Sequence, residues 1–306
     1  MSDRPEPEVG DDSKEAGVPC AFPLDRQLSL SGRCHPGARN RPSLLALHGF
    51  LGSGADWLPV IRHLNAGTRP APSWWTVDLP GHGNSRLGAP ARQPFPESVD
   101  RFLHPLIQAI SDGEQPLILI GYSLGGRLAL HCALDPVFSQ RLAGLVLISA
   151  SPGLSDPGER TARIDRDAGW AHRFREEPLE RVLPDWDAQP VLAPGPAADT
   201  RLEQAFCERR ATQDGRQLAW ALEAFSPGRL PGLQARLPGL ACPVLWLTGE
   251  ADAAYARVGR VAAQVCPRGR HRAVPQASHR LLLEAPGAVA GALGEFLDLH
   301  RNRRAD

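Results

Sequence analysis

The sequence predicts an α/β fold: a mostly parallel sheet flanked by helices, with an inserted helical cap. Three observations lead there. Short runs dense in Val, Ile and Leu alternate with stretches of helical character, the order expected of strands joined by crossover helices. The runs are apolar throughout, which marks strands covered on both faces. The alternation fails between Gly153 and about Pro238, where Arg, Glu, Trp and Pro accumulate and no buried strand is evident.

In chain order, strands are expected at Ser43 to Leu47, Trp74 to Val77, Pro116 to Ile120, Leu142 to Ser149, Pro243 to Leu247 and Arg270 to Val274. Helices are expected between and after them, near Asp56 to Leu64, Ser98 to Ser111, Leu124 to Leu134, Tyr255 to Cys266 and Ala288 to Leu299. The irregular stretch reads as several short helices inserted between two core strands. Ligands of an open α/β sheet sit outside the carboxyl ends of its strands, so such an insert is placed to cap a site. The start, Met1 to Gly17, is acidic and rich in Pro and Gly, without the charged-then-apolar pattern of a signal peptide. The expected organisation is therefore a disordered leader over residues 1–22, a core over 23–152 and 239–306, and a cap over 153–238, in a cytoplasmic protein.

Charge then bounds the partner. The 306 residues carry 34 basic and 34 acidic side chains, which removes the broad footprint of a nucleic-acid or polybasic membrane binder and points to a small molecule. Lys14 is the only lysine; the other cations of the basic set are planar guanidinium groups suited to carboxylates, although GC-rich coding produces the same bias and is the plainer explanation. The longest compact apolar run, Leu142 to Ala150, is strand-length and far short of the ~18 residues of a membrane span. The six cysteines are scattered without a C-x-x-C pair, which supports neither a zinc site nor a disulfide framework. No metal, nucleotide or flavin is indicated.

The chemistry is concentrated in four loops. Gly121-Tyr122-Ser123-Leu124-Gly125 follows an apolar strand and precedes a helix, the context in which a serine is held exposed on a sharp turn with small neighbours at Gly121, Gly125 and Gly126. It lacks the lysine and spacing of a phosphate loop. A serine hydroxyl needs a base and an orienting acid. His279 and Asp252 each follow a later strand, and the chain order Ser123, Asp252, His279 suits the proposal; Glu250 is the rival acid. His48-Gly49-Phe50 opens a fourth loop, so backbone N–H groups of Phe50 and Leu124 are the expected oxyanion donors. His48 and His82 read as loop-shaping groups, and His63, His104, His131 and His172 as packed or surface imidazoles on helices.

Across approximately Pro42 to Leu299 these residues resemble the α/β-hydrolase superfamily. Within it the chain is similar to the 2-succinyl-6-hydroxy-2,4-cyclohexadiene-1-carboxylate synthases of menaquinone biosynthesis. The narrower resemblance rests on Gly121 to Arg127, on Ser151-Pro152-Gly153-Leu154, and in the cap on Glu159 to Arg163, Asp167 to Phe174, Glu177-Pro178-Leu179 and Asp185 to Val191. It implies an α/β-hydrolase fold, a Ser123, His279 and Asp252 triad, and substrate contacts from Tyr122, Arg127, Arg163, Trp186 and Arg210, with the adjacent Arg209 as the alternative to the last. No cofactor is implied. The family's reaction removes pyruvate from a tricarboxylate cyclohexene without consuming water, so several arginines in the site fit the substrate's charge.

Two other readings use the same residues. An ordinary ester, thioester or carbon–carbon bond hydrolase would employ the serine as nucleophile or to activate water. A hydrolase-fold binding protein would need no triad. Dehalogenase or epoxide-hydrolase chemistry fits less well, because the elbow supplies serine where those mechanisms use aspartate.

Overall fold

The structure is a computed structural model that describes residues 17–67, 70–88, 95–110, 116–196 and 198–302. Its strands are β1 (Val18–Pro23), β2 (Leu28–His35), β3 (Ser43–Leu47), β4 (Trp74–Val77), β5 (Arg86–Leu87), β6 (Leu117–Tyr122), β7 (Leu142–Ile148), β8 (Val244–Gly249) and β9 (Gly269–Val274). They form one sheet in the order β1-β2-β4-β3-β6-β7-β8-β9, with β5 also on β2. From β4 to β9 every neighbouring pair is parallel, while β1, β2 and β5 are joined antiparallel.

The core helices are α1 (Leu58–Asn65), α2 (Phe95–Ile110), α3 (Leu124–Ala133), α8 (Ala253–Val265) and α9 (Pro286–Asn302). Successive strand residues serve opposite faces. Leu45, Leu47, Leu119, Leu145 and Leu147 join the cluster that includes α2 and α3. Their neighbours Leu44, Ala46, Ile118, Ile120, Val146 and Ile148 join the one that includes α1 and α9. The period of two is present but hidden, because both faces are apolar.

The expected leader is corrected at its end. Residues 18–23 pair with β2, and Phe22 is buried with its ring 5.9 Å from Trp75, so ladder bonds and an aromatic contact recruit this stretch into the sheet. Residues 1–16 lie outside the described residues. Ser111, the expected end of α2, does too.

Between β7 and β8 the chain forms a helical insert: α4 (Pro157–Glu176), α5 (Leu179–Asp187), α6 (Thr200–Ala211) and α7 (Gly215–Ala224). Asp156, Asp199 and Asp214 cap three of these helices by accepting backbone N–H bonds. The first helix runs 20 residues and is not the short element the sequence suggests. Only Asp167, Ala171 and Phe174 are buried along it, so the apolar stripe that would announce a long helix is thin. The insert has its own small core of Phe174, Val182, Leu183, Leu218 and Leu222, which Leu51 of the sheet domain joins.

Candidate active site

Ser123 stands between β6 and α3 with φ 48° and ψ −105°, a conformation costly for a residue with a side chain. Its surroundings hold it there. The Ser123 N–H donates to the Ile148 carbonyl of β7 at 2.8 Å, and the Gly125 N–H donates to the His48 carbonyl at 3.1 Å. A Cβ on Gly125 would drive into the Leu47 carbonyl, and one on Gly121 into the backbone of Gly125. The close approach of helix and sheet therefore requires glycine at both positions.

The structure brings the other two members of the expected triad to this serine. His279 Nε2 lies 3.0 Å from Ser123 Oγ, and His279 Nδ1 lies 2.8 Å from Asp252 Oδ2. The carboxylate can only accept, so Nδ1 carries the proton and Nε2 is left to accept from the serine hydroxyl. Asp252 is itself fixed as the N-cap of α8, where its Oδ1 accepts from the Tyr255 N–H at 3.2 Å. His279 is 3% exposed and lies between the rings of Tyr255 and Tyr122, with centroids 4.5 and 5.9 Å away. Glu250 is exposed and makes no contact with the imidazole.

Leu124 is the first residue of α3, so its N–H has no partner within the helix, and the residue lines the cavity over Ser123. Phe50 lines the same space. Gly49 lets this loop close down: a Cβ there would sit 2.8 Å from the Tyr122 ring. His48 is buried with both nitrogens engaged, Nδ1 at 2.7 Å from the Gly49 carbonyl and Nε2 accepting from the Leu79 N–H at 2.8 Å. Burial lowers its pKa to about 4 and that of His82 to about 3. Both are neutral braces between loops, in keeping with a shaping role.

A cavity of about 410 Å³ opens over Ser123 at the carboxyl ends of the strands, walled by Phe50, Tyr122, Leu124, Arg127 and His279 of the core and by Arg163, Arg166 and Trp186 of the insert. Arg127, in the first turn of α3, is 7% exposed. Its Nε is secluded without a hydrogen-bond partner, and among the described residues no carboxylate pairs with it. Burial above all, with repulsion from Arg163, lowers its pKa to about 10, so it remains a desolvated cation at neutral pH. Arg163 is already engaged: its Nε donates to both carboxylate oxygens of Asp167, at 2.8 and 2.9 Å.

Arg210 is placed elsewhere. It lines a smaller adjoining cavity of about 40 Å³, which shares Phe50, Tyr122 and Trp186 with the larger one. There Asp187 clamps it through two bonds, one of them at 2.6 Å, and it lies 5.1 Å over the Phe206 ring. Arg209 donates at 2.8 Å to the buried Asp56 of the core. Trp186 packs on Phe50, Trp170 and Phe174, with centroids 5.0 to 5.5 Å away, so it is both a packing anchor and a wall. The sequence reading passed over Tyr255, Arg166 and Arg280. Tyr255 and Arg280 stand beside Asp252 and His279 in the chain, and that adjacency was the available signal.

Residues 44–292 match the Alpha/beta hydrolase family, and the chain belongs to it. Relatives narrow the likeness. A 2-succinyl-6-hydroxy-2,4-cyclohexadiene-1-carboxylate synthase of Pectobacterium atrosepticum is 39% identical over 217 residues, covering 70% of this chain and 79% of that one. The synthase of the same name from Salmonella paratyphi C is 34% identical over 272 residues, 89% of this chain and all of its own. Among solved structures, MenH from S. aureus superposes with a TM-score of 0.80 at 23% identity, over 88% of this chain and 98% of that one. An esterase from Thermogutta terrifontis shares the fold at a TM-score of 0.71 and 22% identity, over 93% and 99%.

Proposed function

We propose that this protein is a 2-succinyl-6-hydroxy-2,4-cyclohexadiene-1-carboxylate synthase, a lyase that eliminates pyruvate from 2-succinyl-5-enolpyruvyl-6-hydroxy-3-cyclohexene-1-carboxylate. The observation that carries this reading is Arg127: a buried cation with no hydrogen-bonded or salt-bridged carboxylate among the described residues, in the same cavity as Ser123 and His279. Leaving a charge desolvated costs several kcal/mol unless something compensates it. A carboxylate of the substrate would supply that compensation, which a neutral ester cannot.

The reaction needs a base for the ring proton alpha to the succinyl ketone. Ser123 Oγ takes that proton while His279 draws the hydroxyl proton away, and Asp252 holds the imidazole in the required tautomer. The electron pair forms the first ring double bond, the existing one shifts, and the carbon–oxygen bond to the enolpyruvyl group breaks. Pyruvate leaves as its enolate and takes up a proton. Atoms balance without water. The N–H groups of Phe50 and Leu124 are suited to hold the enolate oxygen that develops on the ketone. Arg127, Arg163 and the more distant Arg210 are the cations for three carboxylates, with Tyr122 and Trp186 as walls.

The test supplies that substrate and follows pyruvate release and diene absorbance. The wild type should accelerate elimination over the spontaneous rate, and Ser123→Ala should lose about 10² to 10⁴ of that acceleration. No acceleration by the wild type, with rapid Ser123-dependent turnover of simple esters instead, would transfer the protein to the hydrolases.

A further inference from the structure

On the flank of the sheet domain, α2 and the end of α3 turn chemically active side chains toward one another. Asp100 and His104 are four apart on α2, and therefore on one face. His131 on α3 and Asp135 just beyond it are four apart as well. Candidate ligand atoms of Asp100, His104 and Asp135 all lie within 4.8 Å of one another. His104 Nε2 is 3.3 Å from Asp100 Oδ1 and 3.7 Å from Asp135 Oδ2, and His131 Nε2 is 3.5 Å from Asp100 Oδ1.

These contacts have ion-pair distances but lack aligned hydrogen bonds at two of the atoms. His104 Nε2 and Asp100 Oδ1 are both secluded from solvent, and neither has a hydrogen-bond partner. A single imidazole N–H can be aimed at one oxygen only; here the nitrogen stands near two carboxylates and is aligned with neither. Convergence on a common point removes the difficulty. Ligands bound tetrahedrally at 2.0 to 2.1 Å stand about 3.3 Å apart, close to the separations seen. The surroundings already fix the donors. Asp135 Oδ1 accepts from the Val137 N–H at 2.7 Å, which leaves Oδ2 to face His104. The His104 ring lies on Phe138 with centroids 4.0 Å apart, which sets its plane. Arg101, next to Asp100 in the chain, is drawn away to Asp25 at 2.6 Å.

We propose that Asp100, His104 and Asp135 form a binding site for one divalent transition-metal ion. His131 holds the Asp100 carboxylate from outside, and water fills the remaining position. Two carboxylates balance the charge of the ion, and the imidazole favours a transition metal over magnesium or calcium. The ion would staple α2 to the far end of α3. That helix is ten residues long, so the staple lies about 15 Å from Ser123 and should stabilise the fold without entering the chemistry.

Zinc is the probe. Metal-stripped, untagged full-length protein should bind one equivalent of zinc in a calorimetric titration and melt at a higher temperature with it. Cobalt in place of zinc should give the visible absorption of a four-coordinate ion. Asp100→Asn, His104→Gln and Asp135→Asn, made separately, should each lower zinc affinity at least tenfold, with elimination activity retained. His279→Ala should bind zinc as the wild type does. Failure of the wild type to bind an equivalent, undiminished binding in the three ligand variants, or loss of binding in His279→Ala would each overturn the proposal.

Discussion

The two walls of the cavity hold their charged groups by different means. On the core side, positions come from backbone geometry: Ser123 is locked by its turn and by glycine contacts, Asp252 by its helix cap, and Arg127 is left buried with no carboxylate bonded to it among the described residues. On the insert side, three arginines are placed by carboxylates. Asp167 holds Arg163, Asp187 holds Arg210, and Asp56 reaches across to Arg209. The contrast teaches that the core wall is preorganised for charge it does not yet have, whereas the insert is largely self-neutralised. The core should therefore govern rate and the first carboxylate contact, and the insert should tune affinity.

The largest expected effect is at the core. Asp252→Asn removes the group that fixes the imidazole tautomer, and kcat should fall by up to about 10⁴, measured in steady state at saturating substrate. A loss as small as that from an insert arginine would dissolve the contrast. Next is Arg127→Met, which keeps the stem and deletes the charge. Loss of a charge-assisted bond worth about 1.5 to 3 kcal/mol should lower kcat/KM by roughly 10- to 150-fold. Removal of a desolvated, unpaired charge should meanwhile raise the melting temperature of the free protein. Lower activity with higher stability is a pairing that a merely structural arginine would not give.

A smaller effect tests the loops of the core. His48 and His82 are kept neutral by burial, with pKa values lowered to about 4 and about 3. Between the unperturbed histidine value of about 6.5 and those values the unfolded chain binds more protons than the folded one, so stability falls as pH falls through this window. Each residue contributes about 1.4 kcal/mol per pH unit at most. Thermal melts at pH 7.5 and pH 5 should show the drop, and His82→Asn should reduce it. The smallest effect belongs to the insert: Arg163→Ala, whose charge Asp167 already offsets, should raise KM less than about fivefold with kcat held. A change there as large as that at Arg127 would show that Asp167 releases its partner when substrate binds.

The parallel strands were legible because burial on both faces makes them continuous apolar runs; Ser43–Leu47 and Trp74–Val77 agree with the sequence reading to the residue. The antiparallel strands β1 and β2 were not. In β2 the buried Leu28 and Leu30 alternate with the more exposed Ser29 and Ser31, a half-covered pattern that a search for solid apolar runs passes over. Ser123, His279 and Asp252 could be named from the sequence because each follows a strand, and strand ends converge in this architecture. Arg210 shows the limit. The family resemblance put it among the substrate contacts, but its bonds to Asp187 and its place in the smaller cavity depend on how α5 and α6 pack, which no motif encodes. The facing His and Asp pairs on α2 and α3 escaped for the same reason, since each pair alone is an ordinary helix surface.

The insert leaves the sheet after β7 and returns at β8, and these two strands are hydrogen-bonded neighbours. The excursion is thus a closed detour whose ends are held together whatever lies between them. Lengthening such a detour is cheap, since doubling a loop adds only about 0.6 kcal/mol of closure entropy. Within this architecture, selection can rewrite the wall that chooses a substrate while the strands that carry the proton chemistry stay in register.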